Sequence, residues 1–262
     1  MLSYDIVGDG PPMLLIHGLG ITRSVWRNLE SQLSQRARLI LVELPGFGQS
    51  PPPSPNFLSA CVKALVELRQ RLGISRWTVL SYSCSADIGR AYIRRDAAHV
   101  AGGIFLCPIQ RSGRWPVLHF MGCSVLRWWP GFTAWLFSGA RLRWMIVTLA
   151  FNGERHTCTR EWFQEISAQP IAILEAQLTQ SFDPIQTELS PEIPVLRIWG
   201  RYDRLAARPR SMGPHDRVIE ANHGAPLLAS TLVLREVYAF LQRQAEAGAP
   251  ASVPAFGRPG AL

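Results

Sequence analysis

The chain has 262 residues, 47% of them hydrophobic and 18% charged, with a formal net charge of +8 and a sequence pI near 9.8. That length and apolar content allow one sizeable core and exclude a wholly disordered polypeptide. The positive charge is almost entirely arginine, Lys63 being the only lysine. No basic helix, finger or aromatic nucleic-acid motif accompanies it, so nucleic acid is not an expected partner.

Met1-Leu2-Ser3-Tyr4-Asp5-Ile6-Val7 reads as a first strand and lacks the pattern of an export signal, and a cytoplasmic location is expected. Met13-Leu14-Leu15-Ile16 is a short apolar run suited to a buried parallel strand, and it ends in the tight turn His17-Gly18-Leu19-Gly20. A helix starting near Ser24 carries Trp26, Leu29 and Leu33 on one face. Leu39-Ile40-Leu41-Val42 is the next buried strand, followed by Glu43-Leu44-Pro45-Gly46-Phe47-Gly48-Gln49-Ser50 and a proline-rich loop. Leu58 to Leu72 has helical spacing, which Gly73 ends. Trp77 to Leu80 and Gly102 to Leu106 are strands, with a helical pattern between them. Strand and helix alternating at this pace imply a mostly parallel sheet covered by helices on both faces, an α/β fold whose reactive groups collect at the carboxyl ends of the strands.

The composition changes over 108–181. Six of the nine tryptophans lie there, among them Trp128, and no acidic residue falls between Asp96 and Glu154. Arg127, Arg141, Arg143, Arg155 and Arg160 lie in the same stretch, and arginines and Pro130 cut it into pieces well short of the roughly 20 apolar residues of a membrane span. It reads as a helical lid inserted over the strand ends. The core, 1–107 and 182–244, resumes with a strand at Val195-Leu196-Arg197-Ile198-Trp199 and another at Arg217-Val218-Ile219-Glu220. One helix from Pro226 to Gln242 closes it. Residues 245–262, rich in Ala, Pro and Gly, read as a disordered tail. The cysteines, Cys61, Cys84, Cys107, Cys123 and Cys158, are odd in number and form no C-x-x-C pair, which suits reduced thiols better than a disulfide framework or a zinc site.

The chemistry gathers around Ser81-Tyr82-Ser83-Cys84-Ser85, where an apolar strand turns abruptly into a helix. Such a turn displays a nucleophile at its apex and needs small residues two before and two after it. Ser83 meets this condition with Ser81 and Ser85. A nucleophile at Cys84, Ser81 or Ser85 would put Tyr82, Val79 or Asp87 in a crowded place. Two later post-strand turns offer Asp203, in Gly200-Arg201-Tyr202-Asp203, and His223, in Ala221-Asn222-His223-Gly224. The order serine, acid, histidine, each just after a strand, marks Ser83, Asp203 and His223 as a candidate triad.

On these residues the chain resembles the α/β-hydrolase family over nearly its whole length. Leu15-Ile16-His17-Gly18-Leu19-Gly20, Glu43 to Ser50, the turn at Ser83, Trp199 to Asp203 and Asn222-His223 each match a family landmark in order. Two departures stand out: Glu43 replaces the usual aspartate, and serines replace both glycines of G-x-S-x-G. The resemblance implies attack by Ser83 on a carbonyl, proton transfer through His223 oriented by Asp203, and an oxyanion hole made by the amides of Leu19 and Cys84. It implies no cofactor and no metal. His17 is expected to buttress the first loop. The absence of an aspartate at the nucleophile position argues against dehalogenase and epoxide-hydrolase chemistry.

Within the family, Leu19 to Trp26 and Glu43 to Ser50 are similar to the small carboxylesterases that cleave the methyl ester of pimeloyl-acyl carrier protein. The expected substrate is a carboxylic ester, lactone or thioester. A protein-borne acyl methyl ester on an acyl carrier protein would be gripped by the lid arginines. Two alternatives stay open: a carbon–carbon bond hydrolase of ring-cleavage products, whose members usually carry tryptophan where this chain has Gly224, and a non-catalytic ligand sensor on the same scaffold.

Overall fold

The computed structural model describes residues 1–54, 56–109, 135, 138–154, 156–180, 189–206, 208–209 and 211–248. Seven strands form one sheet: β1 (Tyr4–Val7), β2 (Pro12–Ile16), β3 (Arg38–Val42), β4 (Trp77–Tyr82), β5 (Val100–Leu106), β6 (Val195–Gly200) and β7 (Asp216–Ile219). Their order is β1-β3-β2-β4-β5-β6-β7. β1 runs antiparallel to β3 at one edge, and every other pairing is parallel.

The sequence pattern explains the layering. In β2 the side chains of Leu14 and Ile16 enter one core, while Met13 and Leu15 enter the other, because successive strand residues face opposite sides. α2 (Phe57–Arg71) and α3 (Ala86–Arg95) cover the first face. α1 (Arg27–Leu33) and the C-terminal helices cover the second. The expected start near Ser24 is a 3-10 turn, Arg23–Trp26, that leads into α1 and buries Val25, Trp26, Leu29 and Leu33. Asn56 caps α2 by accepting from the Ser59 amide at 2.9 Å, and Gly73, at φ +63°, follows its end.

Between β5 and β6 lie α4 (Ala140–Ala150), α5 (Thr157–Ala168) and α6 (Ile171–Gln180). α5 carries Cys158, Trp162 and Ile166 into the second core, and α6 splits its contacts, Ile173 on the first core and Leu174 on the second. The ends of α5 and α6 are therefore tied into the body of the molecule by apolar burial.

The closing helix differs from the sequence expectation. It is two helices, α7 (Ala225–Leu228) and α8 (Ser230–Gly248), with Ala229 off the helical conformation at φ −130°, ψ 37°. The carbonyl of Leu227, which a continuous helix would use internally, accepts instead from Asn28 Nδ2 of α1 at 2.7 Å. α8 also extends to Gly248, four residues past the boundary at which the core is expected to end; residues 249–262 lie outside the described residues.

Candidate active site

Ser83 stands at the end of β4 with φ +60°, a left-handed conformation that costs a non-glycine residue on the order of 1–3 kcal/mol and persists only where the surroundings enforce it. The enforcement is visible on both sides. Gly18 of the loop after β2 runs so close that an added Cβ would lie 3.1 Å from Ser83 Cβ and 3.1 Å from the Tyr82 ring. The 3-10 turn Ser83–Ser85 then feeds directly into α3.

The two serines that replace glycines are accommodated differently. Ser81 projects toward α3 at Gly89, where an added Cβ would come within 2.5 Å of Ser81 Oγ, so the helix supplies the glycine that the strand lacks. Ser85 Oγ donates to the carbonyl of His17 at 2.5 Å.

His223 and Asp203 arrive from the ends of β7 and β6. His223 Nε2 is 2.8 Å from Ser83 Oγ, and His223 Nδ1 is 2.7 Å from Asp203 Oδ2. Asp203 Oδ1 accepts from the amides of Leu205 and Ala206, each at 2.8 Å. With the carboxylate surrounded by donors, Nδ1 must carry the imidazole proton, leaving the Nε2 lone pair to face the Ser83 hydroxyl. All three side chains are almost wholly excluded from solvent. The sequence-chosen trio is thus one hydrogen-bonded row.

Three aromatic residues fix the imidazole. Tyr82 donates its hydroxyl to the His223 carbonyl at 2.5 Å, and its ring lies 5.3 Å from the imidazole. Trp162 of α5 stacks over the imidazole at 6.4 Å, with the two ring planes inclined by 26°. Phe151 meets Trp162 edge-on at 5.0 Å and occupies the space beside Gly224, where an added Cβ would fall 2.8 Å from its ring. A larger residue at 224, such as the tryptophan of ring-cleavage hydrolases, has no room there.

Cys107 is a neighbour whose part was not legible in sequence. It follows β5 at φ +46°, is fully buried, and its thiol belongs with Asp203 and His223 in one cluster of ligand-type atoms within 4.8 Å. Burial first, then the Asp203 charge, push its thiol pKa well up, so it stays a protonated donor.

The loop 17–22 carries Leu19, a candidate oxyanion donor. His17 at its start is buried, its Nδ1 3.0 Å from the Gly18 carbonyl and its Nε2 accepting from the Leu44 amide at 3.0 Å. Desolvation lowers its pKa to about 4, so it is a neutral buttress at ordinary pH. Among the described residues, the Leu19 amide donates to no partner. Cys84, the other candidate donor, is buried immediately after Ser83. Glu43 uses the extra length it has over aspartate to reach beneath Gly48: Oε2 accepts from the Gln49 amide at 2.8 Å, and a Cβ on Gly48 would collide with it.

The arginine-rich segment is only partly described. Arg127, Trp128 and Arg155 lie outside the described residues. Arg141 and Arg160 are exposed. Arg143, expected among the residues that meet substrate, instead donates to the carbonyls of Ser167 and Ser138, each at 3.2 Å, and so fastens α4 to its neighbours. Ser167 lies in the last turn of α5, where carbonyls have no helical N–H to accept from, and Ser138 lies just before α4.

A family model described as the alpha/beta hydrolase fold matches residues 11–214. The chain belongs to this family. Among curated relatives, this alpha/beta hydrolase is 27% identical over 219 residues to the pimeloyl-[acyl-carrier protein] methyl ester esterase of Aeromonas hydrophila, covering 79% of this chain and 83% of the relative. It is 28% identical over 242 residues to the esterase of the same name from a Shewanella species, covering 85% and 83%. Solved structures share the fold: a thermophilic esterase from Thermogutta terrifontis (TM-score 0.73, 22% identity, 93% of each chain) and the enol-lactonase from Burkholderia xenovorans LB400 (TM-score 0.68, 20% identity, 92% and 96%). Among the described residues of this hydrolase, no helix is long and apolar enough to cross a membrane.

Proposed function

We propose that this hydrolase is a serine esterase that cleaves a carboxylic ester through an acyl-enzyme, with Ser83, His223 and Asp203 as its triad. The observation that carries the reading is the row Ser83 Oγ–His223 Nε2–His223 Nδ1–Asp203 Oδ2, with spacings of 2.8 and 2.7 Å. His223 removes the Ser83 proton as Oγ adds to the ester carbonyl. The resulting imidazolium is held by Asp203, and the same proton then passes to the departing alkoxide. Water, deprotonated by His223, attacks the acyl-serine and returns the enzyme. The carbonyl oxygen, negative in the tetrahedral intermediate, is met by the amides of Leu19 and Cys84; losing one such donor typically costs about 100- to 1,000-fold in rate.

The chain acts in the cytoplasm, with 108–181 as a lid over the site. The substrate is the methyl ester of an acyl chain borne by an acyl carrier protein, as the names of the relatives suggest, so methanol leaves and the carrier-borne acyl chain passes to Ser83, with the exposed Arg141 and Arg160 providing positive charge for an acidic carrier. Initial rates on p-nitrophenyl esters of two to eight carbons, for wild type and Ser83→Ala, test the chemistry. Turnover lost in the variant is expected. Turnover that survives it, or a wild type that neither turns over nor is labelled at Ser83 by a fluorophosphonate, would overturn the proposal. Methanol release from pimeloyl-carrier methyl ester tests the finer substrate.

A further inference from the structure

The oxyanion loop of this hydrolase is held by side chains that the triad does not include. Its amide donors can stabilise a developing charge only if they are fixed before the reaction begins, and a displacement of about 1 Å can cost on the order of 100-fold. Leu19 lies between two backbone groups that are each gripped. On one side the His17 carbonyl accepts from Ser85 Oγ at 2.5 Å. On the other the Gly20 amide donates to Gln177 Oε1 at 3.4 Å. The two grips are joined, because Gln177 Nε2 donates to Ser85 Oγ at 3.3 Å.

We infer that Gln177 of lid helix α6 and Ser85 of the nucleophile turn are positioning residues that clamp the 17–20 loop, so that the oxyanion hole is completed by the lid and not by the core alone. This rests on the serine-esterase reading above. The sense of each bond is fixed by chemistry: Gly20 N–H can only donate and the His17 carbonyl can only accept, so the carboxamide oxygen faces Gly20 and its nitrogen faces the serine hydroxyl. Ser85 is fully buried and Gln177 is 2% exposed. A carboxamide buried without partners would cost several kcal/mol, and this one spends both ends on the loop and the turn. Gly20, at φ +68°, presses so closely on Ile166 of α5 that an added Cβ would lie 2.5 Å away. Further along, Glu165 Oε2 accepts from the Thr22 amide at 2.9 Å and from its hydroxyl at 3.1 Å. Two lid helices therefore hold the loop from outside while the nucleophile turn holds it from within. A glycine at 85, the usual residue of such turns, could make neither of Ser85's bonds.

The test uses Gln177→Met, which keeps volume and removes both bonds; Gln177→Glu, which when protonated donates and accepts as the amide does; and Ser85→Gly. With p-nitrophenyl acetate, Gln177→Met is expected to lower kcat by about 10- to 100-fold with KM within about threefold. Relative to wild type at the same pH, Gln177→Glu should recover most of that loss where its buried carboxyl is protonated and surrender it as the carboxyl ionises. Ser85→Gly should lose activity similarly, and the double variant should lose no more than the worse single, because one clamp is removed either way. Amide exchange at Gly20, followed by NMR, reads the clamp without activity and should accelerate at least tenfold in Gln177→Met and Ser85→Gly. Unchanged exchange, unchanged kcat, a loss confined to KM, or single effects that multiply would each overturn the clamp. A wild type unlabelled at Ser83 by a fluorophosphonate would overturn the esterase reading, and Gly20 exchange would then decide the clamp alone. Should Gln177→Met fail to fold, Ser85→Gly carries the same measurements from the other end.

Discussion

Replacing Asp203 by asparagine isolates the orienting role of the carboxylate, because the protein dictates how the new amide must sit. Oδ1 accepts from two backbone amides, Leu205 and Ala206, at 2.8 Å each. An asparagine must turn its oxygen to those two donors, so its NH2 group points at His223 Nδ1. Two donors cannot face each other across 2.7 Å, and the imidazole responds by moving its proton to Nε2. That proton then confronts the Ser83 hydroxyl 2.8 Å away, and the lone pair that should accept the serine proton is gone. The expected loss in kcat is about 10,000-fold, the scale found when a triad histidine is held in the wrong tautomer, and equivalent to about 5.5 kcal/mol of activation free energy. Folding loses one charge-assisted hydrogen bond, about 1.5–3 kcal/mol, so the variant should remain folded at 25 °C. Initial rates on p-nitrophenyl butyrate from pH 6 to 9, with a thermal melt to confirm folding, provide the measurement. A folded Asp203→Asn within tenfold of wild type would refute the assignment of Asp203 as the group that sets the tautomer.

Three other outcomes follow from local geometry. Tyr82→Phe leaves the buried His223 carbonyl without its 2.5 Å donor and should cost about 1–3 kcal/mol, seen as a Tm at least ~2 °C lower; an unchanged Tm would mean that another donor takes over. Gly48→Ala forces a Cβ to within 1.7 Å of Glu43 Oε2 at φ +51°, and a loss of about 2–4 kcal/mol in urea unfolding is expected, partly recovered by shortening the acid with Glu43→Asp. His17 binds its proton with a pKa of about 4 in the folded state against 6.5 when unfolded. As pH falls below 6.5, the unfolded chain gains a proton that the native state refuses, so stability declines between pH 6.5 and 4 by an amount on the order of 3 kcal/mol and is constant, for this group, above that window. Urea midpoints across pH 4 to 7.5 should show the slope, and His17→Asn should flatten it; an equal slope in the variant would assign the effect elsewhere.

Much of the architecture was legible in the sequence because it rests on short-range rules. Apolar runs such as Met13 to Ile16 and Leu39 to Val42 are too short to be buried helices and are bounded by turn residues, and continuous apolar runs of this kind suit buried parallel strands. Their alternation with helical spacing gives the doubly covered sheet that the structure displays. Ser83, Asp203 and His223 were identifiable because each follows a strand, and in a parallel sheet strand ends converge whatever lies between them in sequence. The unusual serines were legible as departures, but their accommodation was not: only tertiary packing sets Gly89 opposite Ser81 and the His17 carbonyl opposite Ser85. The break at Ala229 depends on Asn28 capturing the Leu227 carbonyl across 199 positions, and no local propensity encodes that. The same holds for Arg143, whose charge suggested a ligand and whose position assigns it to backbone carbonyls, and for Gln177, an unremarked polar residue in a helix until α6 brings it beside the Gly20 amide. Sequence by itself determined the alternation of strands and helices and the placement of Ser83, Asp203 and His223 just after strands, because periodicity and turn chemistry are local. The partners of each buried polar atom were decided by the tertiary structure, because such an atom must be satisfied by whatever the fold places within about 3 Å, regardless of distance along the chain.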